Sequence, residues 1–143
     1  MIKLGLIGIS KGNGHPYSWA AIINGYEEKL MLDCGFPVIP DYLSKHKFPE
    51  ESIKTMTVSH IWTQDINISQ HIAKTTFIPN VVSNYEDMIG HVDGILLARD
   101  DAENHLEISM PFLLAGIPIY IDKPLSYSIE EANKIFSLQK KEG

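Results

Sequence analysis

The feature that most constrains this chain is a repeated pairing of short apolar runs with helical stretches. Residues 3–9 are nearly continuously apolar and end in glycines, and similar runs follow at 55–62, 77–82, 93–98 and 117–121. Runs this short, rich in β-branched and aliphatic side chains, predict strands buried on both faces, as inside a parallel sheet. Between them, residues 17–24, 65–74 and 101–115 carry helical spacing, with Pro16 suited to a first turn, Gly25 and Gly116 as stops, and Pro111 as a kink or restart. Ser83-Asn84-Tyr85-Glu86 and Ser128-Ile129-Glu130-Glu131 read as capping boxes, opening a short helix through Ile89 and a last helix over 128–141. Strands alternating with helices predict an α/β fold built as a doubly wound parallel sheet.

One stretch breaks the rhythm. Residues 26–52 hold Asp33-Cys34-Gly35-Phe36-Pro37 and two further prolines, Pro40 and Pro49. The expectation is a single domain over 1–143 with an insertion at about 26–52. Within it a short helix over 41–46 is expected. Its purpose stays open between a pocket lid and a surface excursion that packs Phe36 and Tyr42 onto the domain.

Charge narrows the partners. A net charge of −6 with no basic run argues against a nucleic-acid footprint. An anionic ligand would have to be held by local groups, because the overall field opposes it. Cys34 is the one cysteine, so no internal disulfide or cysteine-based zinc site is expected. The apolar run at residues 4–9 is far too short to span a bilayer, and a cytoplasmic protein without membrane contact is the expectation.

In doubly wound sheets, ligands bind outside the carboxyl ends of the strands, where strand order reverses. The first such place is Gly8-Ile9-Ser10-Lys11-Gly12-Asn13-Gly14-His15. A glycine-rich turn leading into a helix suits a pyrophosphate, because it brings backbone N–H groups close to the anion. The pattern is imperfect: Ser10 stands where a second glycine is usual, and Gly12 and Gly14 come late. Gly8, Ser10, Lys11, Gly12, Asn13 and Gly14 are the candidate dinucleotide contacts, against the alternative of a ligand-free turn. The acid that holds the adenosine ribose is expected at the end of the second strand. Asp33 fits the usual distance from the glycines, and Asp65 fits the element order; Asp65 is preferred, and it can cap the next helix as well. No Lys or Arg follows Asp65 until Lys74, which favours NAD over NADP.

The carboxyl-terminal part carries a more specific pattern. His105 stands in the helix after the fourth strand, Ala115-Gly116 closes that helix, and Asp122-Lys123-Pro124-Leu125 follows the fifth strand. This resembles the NAD-binding Rossmann domain of the Gfo/Idh/MocA oxidoreductases, over about residues 1–10 and 53–136. The family's Glu-Lys-Pro has Asp122 in place of its Glu here, and Arg99-Asp100-Asp101 replaces a more typical Thr-Pro-Asn. The resemblance implies a Rossmann-like dinucleotide-binding fold with NAD as cofactor, NADP remaining open. It implies that Lys123 lies beside the nicotinamide and handles the proton of a substrate hydroxyl, and that Ala98, Arg99, Asp100, His105 and Asp122 surround the cofactor. For His105 a packing role is an equal alternative.

The resemblance further implies a second, substrate-binding domain that residues 1–143 do not include. It also implies a sugar, polyol or sugar derivative as substrate, and a homo-oligomer is a further possibility. Two other readings stand beside the dehydrogenase: a non-catalytic dinucleotide-binding or regulatory module, and an S-adenosylmethionine-binding Rossmann domain.

Overall fold

The computed structural model describes residues 1–48 and 50–139. Five strands, β1 (Ile2–Ile7), β2 (Met56–Trp62), β3 (Asn80–Val81), β4 (Gly94–Leu97) and β5 (Ile119–Ile121), form one sheet in the order β3-β2-β1-β4-β5. Every pairing is parallel. The six α-helices among the described residues are α1 (His15–Asn24), α2 (Glu28–Leu32), α3 (Val38–Leu43), α4 (Ile66–Thr75), α5 (His105–Leu114) and α6 (Ile129–Gln139). This is the expected doubly wound parallel sheet.

Side chains of β1 alternate across the sheet, so Leu4 and Leu6 enter one core and Ile7 the other. The first core packs Val58 and Ile61 against Ala20, Ile23 and Ile72 of α1 and α4. The second packs Ile95 and Leu97 against Ile108 and Phe112 of α5. The chain leaves β1 on one side towards β2 and returns on the other at β4. The crevice between the carboxyl ends of β1 and β4 is therefore the switch point of the sheet.

Several local expectations change in tertiary context. The described residues of 26–52 hold two helices, α2 and α3, rather than one over 41–46. Glu27 starts α2 by accepting a hydrogen bond from the Leu30 N–H. This excursion is no loose flap: Met31, Cys34, Ile39 and Leu43 are buried in the first core. Phe36 and Tyr42 do pack onto it, half-buried. The expected strand over 77–82 shrinks to Asn80–Val81, because Phe77 turns to φ 58 and Pro79 removes a donor at the sheet edge.

The helix expected from Ser83 is a single 3-10 turn, Tyr85–Met88, whose capping box is built by Asn84 and Asp87. The helix expected from residue 101 begins as a 3-10 turn at Ala102–Asn104 before α5, and α5 carries Pro111 inside it. The last helix runs to Gln139, and the expected residues 140–141 lie outside the described ones. No helix among the described residues is long and apolar enough to cross a membrane.

Candidate functional site

Close packing positions the glycine-rich turn. A Cβ on Gly8 would stand 2.4 Å from Pro16 Cγ, so only glycine lets β1 and the first turn of α1 approach this closely. A Cβ on Gly14 would meet Ile39 Cδ1 at 2.6 Å and Phe36 Cγ at 2.8 Å. The late glycine thus serves the excursion, which leans on the start of α1. Gly12 supplies the left-handed residue of the turn, at φ 80.

Three polar links tie this turn to the other strand ends. The Ser10 hydroxyl bonds the Asp100 carboxylate and accepts from the Asp100 N–H at 3.1 Å, bridging the β1 and β4 loops across the switch point. Asp122, only 4% exposed, accepts from Asn13 Nδ2 at 3.0 Å and His15 Nδ1 at 2.5 Å. The Lys123 N–H reaches its other oxygen at 2.9 Å. Burial pushes the Asp122 carboxyl up, yet the hydrogen bonds from Asn13, His15 and the Lys123 backbone hold it below the ordinary value.

The third link is Gln64, whose amide accepts from the Ile9 N–H at 3.0 Å and donates to the Ile9 carbonyl at 2.6 Å. Arg99 Nη1 donates to the same Gln64 oxygen at 3.1 Å, while its guanidinium also grips Asp101. Burial pushes the Asp101 carboxyl up, but the bonds and charge of Arg99, with Asn104, hold it below the ordinary value.

The expected contact residues divide into two groups. Ser10, Asn13, Asp100, Asp122 and the Lys123 backbone are joined by hydrogen bonds across the strand ends, and Gly8, Lys11, Gly12 and Gly14 belong to the same turn. Ala98 and Arg99 are buried, and Arg99 is committed to Gln64 and Asp101, so both build the wall rather than present a free group. His105 is fully buried; its Nδ1 lies 3.0 Å from the Leu125 carbonyl and its Nε2 2.8 Å from the Arg99 carbonyl. Both partners are acceptors, so the ring ties the β4 loop to the segment after Lys123 from beneath. A ligand in the crevice would meet the loops that His105 holds, not the ring.

Asp65 does follow the second strand, whereas Asp33 ends α2 and follows no strand. Yet the Asp65 carboxylate caps α4, accepting from the Asn67 N–H at 2.8 Å. Gln64 and His15 escaped the reading of the sequence. Gln64 could have been sought as the first long polar side chain after β2, and His15 as the first residue of α1.

The donor set suits a pyrophosphate. Among the described residues, no hydrogen bond reaches the N–H groups of Lys11, Gly12 or Gly14, and the Lys11 amine is exposed without a partner. Of the two nearby carboxylates, Asp100 accepts from Ser10 through Oδ1, and Asp122 accepts from Asn13, His15 and the Lys123 N–H.

Residues 39–143 match the profile of the oxidoreductase family with an NAD-binding Rossmann fold, Gfo/Idh/MocA. The chain belongs to this family. The matched span takes in the Asp122-Lys123-Pro124 segment and leaves out β1 and the glycine-rich turn, where Ser10 stands in place of the usual second glycine. Curated protein sequences give no match.

Among solved structures, a biliverdin reductase from Synechocystis, in complex with biliverdin and NADP+, superposes with a TM-score of 0.69 at 15% identity over 99% of this chain and 35% of that one. A myo-inositol 2-dehydrogenase from Lactobacillus plantarum gives 0.66 at 15% identity, over 99% and 33%. A dehydrogenase from Clostridium difficile gives 0.67 at 20% identity, over 99% and 36%. At such identities the agreement is one of fold. The Gfo/Idh/MocA chain described here spans about a third of the length of these proteins.

Proposed function

We propose that this chain is the cofactor-holding unit of an oxidoreductase that moves a hydride between a nicotinamide dinucleotide and a sugar, polyol or sugar derivative. The observation that carries the reading is the Asp122-Lys123-Pro124 segment at the carboxyl end of β5, with Asp122 bonded to the glycine-rich turn and Lys123 exposed beside it. One carboxylate thereby fixes the distance between the phosphate-binding turn and the lysine.

When bound, the nicotinamide supplies the hydride acceptor or donor. The chain's own residues do the rest. The N–H groups of Lys11, Gly12 and Gly14 hold the pyrophosphate, and Lys123 Nζ faces the substrate hydroxyl and takes or returns its proton. Asp122 holds the Lys123 backbone while His15 and Asn13 hold Asp122. Residues that complete the substrate pocket belong to a further domain in this proposal, as the relatives' greater length suggests.

Calorimetric titration of the chain with NADH, NADPH and S-adenosylmethionine tests the reading. A nicotinamide dinucleotide should bind; binding of S-adenosylmethionine alone would overturn it.

A further inference from the structure

On the β2 side of the glycine-rich turn lies a cleft of about 430 Å³. Its walls include Lys11 and Gly12 of the turn, Cys34 and Phe36 of the excursion, and Gln64 and Ile68 at the start of α4. It lies beside the free N–H groups of the turn, on the side of the switch point where the adenosine half of a dinucleotide extends in doubly wound folds. Residues 34–36 therefore form a wall of this space, and Phe36 and Ile68 give it apolar surface suited to a flat heteroaromatic ring.

The charge in the cleft is the informative part. A ribose with two free hydroxyls is gripped by a carboxylate. No carboxylate is among the residues that line this cleft: Asp65, next to Gln64, turns one oxygen to the cap of α4, and Asp33 ends α2. The Gln64 amide is committed to Ile9 and Arg99. The charged side chain lining the space is Lys11, and its amine has no ion pair or hydrogen bond among the described residues. In a chain of net charge −6, such a local cation is what a phosphate monoester needs.

We propose that this cleft takes the adenosine end of a 2′-phosphorylated dinucleotide, with adenine between Phe36 and Ile68 and Lys11 on the 2′-phosphate, so that the chain prefers NADP(H) to NAD(H). The inference rests on the dinucleotide reading above and reverses the preference for NAD drawn from the residues after Asp65. Those residues lie along α4, whereas the cation arrives from the glycine-rich turn.

The test is calorimetry with NADPH, NADH and 2′,5′-ADP on the wild-type chain, Lys11→Gln and Phe36→Leu, with circular dichroism confirming each fold. NADPH should bind about tenfold more tightly than NADH, equivalent to about 1.4 kcal/mol, and 2′,5′-ADP should compete with it. Lys11→Gln should collapse the ratio towards one. Phe36→Leu, which keeps apolar volume but removes the ring, should weaken both dinucleotides. NADH binding as tightly as NADPH, or a ratio untouched by Lys11→Gln, overturns the inference alone. Failure of both dinucleotides to bind overturns the functional reading together with it.

Discussion

His15 in the first turn of α1 and Asp122 at the end of β5 are joined by a 2.5 Å contact between Nδ1 and Oδ2, across 107 residues of sequence. The His15 ring is stacked on Trp19 with centroids 4.8 Å apart, and Trp19 in turn meets Tyr120 of β5 edge-on at 5.4 Å. This contact ties the glycine-rich turn to the lysine segment, and it makes Asp122 the residue whose loss should be felt at both.

Asp122→Ala is expected to destabilise the chain by about 1–3 kcal/mol, because it leaves Asn13 Nδ2 and His15 without their acceptor. Urea unfolding measures this. The same variant should weaken NADPH binding, since the turn is no longer held. A stability within experimental error of wild type would mean that the two segments are fixed by other contacts.

Acid should act through the same carboxylates. Asp122 and Asp101 are both held below their ordinary values in the folded chain. A depressed carboxyl stabilises fully above its unfolded value, about 3.9, and that stability disappears as pH falls through the folded value. His60 acts at higher pH: burial, with the charges of His91 and Lys3, lowers it below 6.5. The unfolded chain then takes up its proton first, so stability should rise with pH over the window just below 6.5. Thermal melts between pH 3 and 8, about the range these groups span, should show both steps. Asp122→Asn should shrink the acid step, and His60→Gln should remove the upper one.

Gly14→Ala should destabilise by about 1–3 kcal/mol through overpacking. The new methyl group collides with Ile39 and Phe36, while the backbone there, at φ −88, is open to any residue. The excursion should loosen first, seen as faster amide exchange in α3. Unchanged exchange in α3 would show that the excursion is not held through Gly14.

Asp65→Ala should cost about 1 kcal/mol of stability as a lost helix cap. Its effect on NADPH affinity should be smaller than that of Lys11→Gln. A larger loss of affinity than of stability would restore Asp65 as the ribose contact.

Lys123→Met should leave the melting temperature and dinucleotide affinity close to wild type, because the side chain is exposed and holds no core together. In a protein that carries this domain and turns over a substrate, it should lower kcat about a hundredfold or more, the scale of general acid–base help. Near-normal turnover would remove Lys123 from the chemistry.

The alternation of apolar runs and helical stretches was enough to determine the parallel sheet, because buried strands have to be apolar on both faces and each crossover needs a helix. The spacing from His105 through Gly116 to Lys123 carried the family, and Asp65 could be placed after the second strand from element order alone. What no local pattern contains is the partner of each polar group. Asp122 reads as a strand-end acid but is a buried acceptor for residues more than a hundred positions away. His105 reads equally as a packing residue or a cofactor contact, and the fold seals it between two carbonyls; Asp65 reads as a ribose ligand or a helix cap, and the fold shows the cap. Residues 26–52 read as an excursion, yet Met31, Cys34, Ile39 and Leu43 belong to the core and residues 34–36 line a cleft beside the glycine-rich turn. Secondary structure follows from periodicity within a short window. Hydrogen-bond partners and clefts depend on which segments the folded sheet brings side by side, and only the tertiary structure decides that.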